Sequence, residues 1–247
     1  MPDLEFERLH VRIARSGVAS RRSAEKMIAD GRVEVDGEIV TEMGLKVTSD
    51  QEVRVDGRLV EVAKHYTVLL YKPLGVVTTL SDPHGRPTIV KYLPEYGTPL
   101  KPVGRLDMDT EGLLLCTNDG ELAHRLSHPR QGVEKEYEAV VTGIVEERAL
   151  NHLRKGVFFE GRKSAPAQVE IIHAEPRSNS TGLRITIHEG RNRQIRLMCE
   201  TVGHPVQKLK RVRYAFLRSK GMRAGEAKLL GKQDLNKLRE MVELPLE

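Results

Sequence analysis

The chain contains no tryptophan, and its aromatic residues amount to only 4%, so positions where a ring can stack on a ligand are few. Its two cysteines, Cys116 and Cys199, are far apart and lack metal-type spacing, which excludes a disulfide framework and a thiolate metal site. We read them as reduced thiols, as expected of a cytoplasmic chain. No apolar run approaches the ~20 residues that a membrane span requires. The start, Met1-Pro2-Asp3-Leu4-Glu5, has neither the basic residues nor the apolar stretch of a secretory signal. A phosphate-cradling loop is also missing: Lys72-Pro73-Leu74-Gly75 has Pro and Gly for a fixed turn, but not the Gly-rich spacing that leads into Lys-Ser/Thr. His124 and His128 have the i,i+4 spacing of a metal pair. Arg125 stands where a zinc-protease motif needs Glu, and Pro129 ends the helix, so both are expected to be ordinary helix residues.

What is present is positive charge, unevenly spread. The net charge is +5, yet the window from Arg184 to Arg223 alone carries +9, leaving −4 elsewhere. Such a stretch can be a solvated face. Here Gly190, Asn192, Gln194 and Tyr214 interleave with the charges, which favours a binding site for a polyanion, foremost nucleic acid.

The 247 residues leave room for a large and a small domain. Near the start, Leu9, Ile13 and Ala14 share one face of a short helix that Gly17 ends. Ser20 is placed to cap a second helix with Ala24, Met27 and Ile28 on its apolar face and Gly31 at its end. Val33-Glu34-Val35, Asp36-Gly37, Glu38-Ile39-Val40 reads as strand, tight turn, strand, and Val53 to Val60 repeats the pattern around Asp56-Gly57. A polar link, about residues 61–65, separates residues 1–61 from a second domain over 66–247. That domain opens with a strand at Thr67–Tyr71 and closes with a helix from Asp234 to Leu244 carrying Leu235, Leu238 and Val242 on one face. Strands and helices do not alternate regularly, which predicts an α+β fold with a mixed, mainly antiparallel sheet flanked by helices.

The first sixty residues resemble the S4 RNA-binding domain, through Arg8-Leu9, Ile13-Ala14, Gly17, Ser20-Arg21-Arg22, Ala24-Glu25, Ile28, Gly31-Arg32-Val33 and Val35-Asp36-Gly37. The resemblance implies a basic helical face toward structured RNA, with Arg12, Arg15, Arg21, Arg22, Lys26 and Arg32 as candidates. Residues 1–64 hold thirteen acids against eleven bases, so any such face is local.

In the second domain, Gly104-Arg105-Leu106-Asp107-Met108-Asp109-Thr110-Glu111-Gly112 sets three acids within five residues, directly before the strand-like Leu113-Leu114-Leu115. A carboxylate drawn against a core needs a partner. Glu189-Gly190-Arg191-Asn192-Arg193-Gln194-Ile195-Arg196 can supply one, since a nearby guanidinium favours the anionic form that a nucleophile requires. These acids are equally compatible with a surface turn until a further observation is added.

That observation is a resemblance, over nearly the whole chain, to pseudouridine synthases, in particular those that modify ribosomal RNA and carry an N-terminal S4 domain. It rests on Gly104-Arg105-Leu106-Asp107, Lys135-Glu136-Tyr137, Gln194-Ile195-Arg196 and the Lys-Pro-x-Gly turn. It implies Asp107 as the catalytic carboxylate, Tyr137 as the ring that holds the target base, and Arg196 as the basic partner of Asp107. Asp109 and Glu111 match no catalytic position and are expected to position or cap. The resemblance also implies that no cofactor or metal takes part. Arg105, Arg191, Arg193, Lys208, Lys210, Arg211 and Arg213 are then candidates for RNA phosphate. Ser127-His128-Pro129 and the ending Leu238-Arg239-Glu240-Met241-Val242-Glu243-Leu244-Pro245 point to the subgroup acting on the large subunit, hence 23S rRNA or its assembly intermediate as partner. Arg196-Leu197-Met198-Cys199 departs from that subgroup, which more often has a second basic residue and a larger aromatic. Small-subunit 16S rRNA as target, and a non-catalytic RNA-binding assembly factor, remain the alternatives. Nothing in the sequence marks a dimerisation helix, so a monomer is expected.

Overall fold

Asp36-Gly37 and Asp56-Gly57 take positive φ at both turn positions, 52° and 85° in the first, 49° and 74° in the second. These values suit two-residue hairpin turns whose twist matches that of the flanking strands. The computed structural model describes residues 6–61 and 64–246. The five N-terminal residues and part of the expected link, residues 62–63, lie outside the described residues.

Two compact units are formed. The first comprises the chain up to Tyr66 together with Glu95–Pro99 and Asn118–Gly120, and the second comprises the remainder. In the first, β1 (Glu7–Arg8) leads into α1 (Leu9–Arg15) and α2 (Arg21–Ala29). There follow β2 (Val33–Val35), β3 (Glu38–Ile39), β4 (Lys46–Val47), β5 (Val53–Val55) and β6 (Arg58–Leu59). Ser20 caps α2 by accepting from the Ser23 amide. Leu9, Ile13, Ala24 and Ile28 from the helices pack on Val33, Val47, Val53 and Val55 from the strands, and this is the unit's core.

Three of the expected RNA contacts in this unit are occupied internally. Arg12 is only 6% exposed and donates to the carbonyls of Thr48 and Gln51, because it sits beside Ile13 on the face turned to the core. Arg32 makes a two-pronged bond to Asp56, at 2.8 and 2.6 Å. Arg15 pairs with Glu7 at 3.3 Å. Arg21, Arg22 and Lys26 stay exposed on α2.

The second unit is built on a nine-stranded sheet. Its strands are β7 (Thr67–Lys72), β8 (Lys101–Pro102), β9 (Glu111–Thr117), β10 (Lys135–Thr142), β13 (Gln168–Glu175), β14 (Ser180–Ile187), β15 (Val206–Tyr214), β16 (Leu217–Arg218) and β17 (Ala227–Leu229). A separate small hairpin joins β11 (Phe158–Phe159) to β12 (Arg162–Lys163). The helices are α3 (Gly120–Ser127), α4 (Glu147–Lys155), α5 (Gln194–Thr201) and α6 (Lys232–Met241). The main order is β13-β14-β10-β15-β9-β7-β17, and every adjacent pair is antiparallel except β15–β9. This is the expected α+β architecture with a mixed sheet. Leu122 and Leu126 of α3, and Leu235 and Leu238 of α6, pack with Leu69, Leu113 and Leu115 of the sheet. The closing helix stops at Met241, three residues before the expected end, where Glu243 turns to φ 56°. Among the described residues no helix is long and apolar enough to cross a membrane.

The parallel pair has one special requirement. Gly112 lies opposite Arg211 with φ 110°, and a Cβ there would overlap the Arg211 carbonyl. Only glycine permits both the dihedral and the approach. Gly112→Ala is therefore expected to lower stability by about 3 kcal/mol or more, read as a drop in the urea midpoint; an unchanged midpoint would contradict this account of the β9–β15 contact.

Candidate active site

The segment between Gly104 and Gly112 is a loop that turns sharply and then enters β9. The Thr110 amide donates to the Asp107 carbonyl at 3.0 Å, closing the turn. Two ties hold it from the β7 side. Thr78 Oγ1 donates to the Leu106 carbonyl at 2.6 Å and accepts from the Leu106 amide at 3.2 Å. The Gly75 amide donates to the Met108 carbonyl at 2.8 Å. The Lys-Pro-Leu-Gly turn is thus a buttress for the acidic loop, and Gly75 can serve because it adopts φ 76°. Lys72 completes the buttress. It is fully buried, its Nζ donates to the carbonyls of Pro73 and Val76 at 2.9 and 2.8 Å, and burial pushes its pKa down to about 8 against the pull of Asp107, Asp109 and Glu111.

From the other side come two arginines. Arg193, with φ 49°, is the N-cap residue of α5, and Arg196 follows three positions on, in the helix's first turn. A spacing of three puts both on one helix edge facing the loop. Arg196 was expected to pair with Asp107. Instead its Nε stands 3.2 Å from Asp109 Oδ2, while its other nitrogens donate to the carbonyls of Asp109 (2.6 Å) and Val206 (3.2 Å). Arg193 is the cation beside Asp107, at 3.9 Å, and it reaches Asp109 at 3.3 Å as well. The expectation failed because the segment is a helix start, which brings Arg193 to the loop where a strand would have turned it away. Asp109, expected to position, receives both guanidinium groups.

Asp107 and Arg193 line a cavity of about 240 Å³ together with Lys135, Tyr137, Leu209 and Arg211. The last four come from neighbouring strands in register: Tyr137 lies opposite Arg211, and Ala139 opposite Leu209. Tyr137 is 8% exposed, with its hydroxyl 3.4 Å from Arg211 Nη1. Arg211 is buried and donates from Nε to the Leu113 carbonyl at 2.6 Å. Its Nη2, and Thr110 Oγ1 in the same cavity wall, are buried without a hydrogen bond among the described residues, as in a site shaped for a polar ligand. Lys135 is buried too. Burial, reinforced by the Arg211 charge, pushes its pKa down to about 8.

The other proposed phosphate ligands divide. Arg105 and Arg193 are exposed beside the cavity. Arg191 is not available: its guanidinium stacks 3.7 Å from the Phe159 ring centre and donates to the Phe159 and Arg162 carbonyls. Arg211 belongs to the cavity wall. Lys208, Lys210 and Arg213 are in register with Val140, Glu138 and Glu136, on the strand face turned away from Tyr137. Arg213 is held there by Glu136 and Glu134, both at 3.0 Å. The alternation of a strand splits a basic stretch between two faces, so the charge window is not one patch.

Comparison with known proteins identifies the family. The family model for RNA pseudouridylate synthase matches residues 65–201, and that for the S4 domain matches residues 7–53. The ribosomal large subunit pseudouridine synthase B of Bacillus subtilis is 43% identical over 96% of this chain and 98% of its own. The chain belongs to the RNA pseudouridine synthase family. The protein of the same description from Haemophilus influenzae is 39% identical over 100% of this chain and 71% of its own. A crystal structure of a pseudouridylate synthase superposes with a TM-score of 0.67 at 29% identity, covering 94% of this chain and 99% of the other.

For this pseudouridine synthase, the sequence reading gave no role to Lys72 or Lys135. The available signal was a lysine ending an otherwise apolar strand in one case, and a lysine two residues from the key tyrosine on the same strand face in the other. Lys135 gives a test with a definite sign. Its folded pKa, about 8, lies below the ordinary lysine value, so the folded state loses the proton first and its stability rises as pH climbs from about 8 toward about 10.4. Lys135→Met is expected to be more stable than the parent at pH 7, by on the order of 1–3 kcal/mol, with the advantage shrinking between pH 8 and 10. Denaturant melts of both proteins across that range check it; a difference independent of pH would contradict it.

Proposed function

We propose that this pseudouridine synthase isomerises a uridine in the RNA of the large ribosomal subunit, working as a cytoplasmic monomer and with Asp107 as its catalytic carboxylate. The observation that carries the reading is the convergence of Asp107, Arg193 and Tyr137 on one cavity in a chain 43% identical to a synthase named for the large subunit.

The reaction breaks the bond between ribose C1′ and uracil N1, turns the base, and joins C1′ to C5. It is redox-neutral and consumes no water overall, so it calls for no ATP, metal or organic cofactor. It needs a carboxylate beside the sugar, a wall that retains the detached base, and energy to draw the nucleotide from its stack. Asp107, at the cavity and partly exposed, supplies the first. Two routes are open to it: covalent addition to sugar or base, or removal of the ribose 2′ proton to form a glycal. In either route Arg193 balances its charge from 3.9 Å.

Tyr137 faces the same cavity and offers the base a ring. Stacking on an aromatic is worth roughly 1–3 kcal/mol, which offsets part of the few kcal/mol that base extrusion costs. In this reading Arg196 has a positioning role through Asp109, and not through Asp107. Arg21, Arg22 and Lys26 on α2, with Arg105, contact phosphates and set the register of the RNA without reading its sequence.

The test is a map of pseudouridines in ribosomal RNA from cells with and without the gene. Loss of a large-subunit site, restored by the intact gene, is expected. An unchanged map would favour a binding factor over an enzyme, and loss confined to small-subunit RNA would overturn the target.

A further inference from the structure

The hairpin of β11 and β12 stands beside the cavity, joined to its lining through Arg191. Its two-residue turn, Glu160-Gly161, has φ 49° and 77°, the values of a tight and regular hairpin. Phe159 is paired with Arg162, and Phe158 with Lys163. The two phenylalanines point to opposite faces and meet opposite fates. Phe159 is buried and carries the Arg191 guanidinium on its ring. Phe158 is 68% exposed, more than any other large apolar residue in the second unit, and its cross-strand neighbour Lys163 is exposed too.

The hairpin is also fixed to the cavity wall. Arg191, which lines the cavity, donates to the Phe159 and Arg162 carbonyls and stands 3.7 Å from Glu160. At the hairpin's base the Ser164 amide donates to the Val157 carbonyl at 2.9 Å, and the Val157 amide to Ser164 Oγ at 3.0 Å. Glu189 accepts from the Ala165 amide and from Gln194, tying the next residues to the start of α5. Phe158 is therefore an exposed ring on a braced support, next in sequence to the ring that carries the cavity-lining Arg191, with an exposed lysine as its cross-strand neighbour.

A large apolar side chain in water on a rigid hairpin strand gains nothing for the fold. A ring next to a cation is what a single-stranded nucleotide needs: a face for the base and a charge for its phosphate. We propose that Phe158 and Lys163 form a stacking platform for a nucleobase flanking the target uridine, Phe158 holding the base and Lys163 its phosphate. The platform would grip the RNA strand where the target leaves its stack, and would select substrates in which that neighbour is unpaired. This inference rests on the RNA substrate proposed above.

The test uses the full-length protein and ribosomal RNA fragments containing the target, with 2-aminopurine placed in turn at each flanking position. One flanking position should lose fluorescence on binding to the parent protein and keep it with Phe158→Ala. That variant should raise both Kd and KM between about 5-fold and 150-fold, the range that base–aromatic stacking spans, with a smaller effect on kcat. Phe158→Trp should restore binding, and Phe158→Leu, apolar without a ring face, should not. Because Phe158 is exposed, the melting temperature of each variant should match the parent. Unchanged Kd and KM for Phe158→Ala, or full binding by Phe158→Leu, would overturn the platform while leaving the proposed function standing. A parent protein that binds these RNAs but forms no pseudouridine would overturn the function, and the binding comparison would still decide the platform.

Discussion

Asp109, which lies outside the cavity, receives both arginines from the start of α5 and so ties the acidic loop to the helix. On the loop's other side the Gly75 amide and the Thr78 hydroxyl grip Met108 and Leu106. Asp107 sits between these two sets of ties, on a turn closed by the Thr110 amide. A carboxylate that must meet a sugar at a set place needs its backbone fixed within a fraction of an ångström. The neighbouring acid provides much of that fixation, and it can do so because a two-residue offset in the turn sends one carboxylate to the arginines and the other to the cavity.

The same cavity concentrates positive charge. Lys135 and Arg211 are buried in its wall, Arg193 is at its rim, and Lys72 lies beneath the loop. Burying two lysines lowers both of their pKa values to about 8, a cost the fold bears around the cavity. Cations fixed in advance by Leu113, Pro73 and Val76 carbonyls spend no entropy when the ligand arrives.

Much of this was legible in the residues. The two hairpins followed from Asp-Gly between alternating valines, the cap from Ser20, and the closing helix from Leu235, Leu238 and Val242. The motif spacing singled out Asp107 and Tyr137, and the fold brings both to one cavity. The partner of Asp107 was misassigned, since whether Gln194 to Arg196 is a strand or a helix start decides which arginine turns inward, and eight residues of mixed polarity do not settle that. The basic window misled for a related reason: β15 sends Lys208 and Lys210 to one face and Arg211 to the other, while Arg191 is taken up by Phe159. Ion pairs such as Arg32–Asp56 join residues 24 apart, and only the folded chain shows that an arginine is already occupied.

The central claim is a division of labour in which Asp107 acts on the substrate and its surroundings only hold it in place. The most direct measurement is single-turnover conversion of the target uridine by Asp107→Asn, an isosteric change that removes the charge and leaves the Asp109 ties untouched, with RNA affinity measured in parallel. The account predicts no pseudouridine at saturating enzyme and nearly unchanged affinity. Conversion of the uridine by that variant would contradict it.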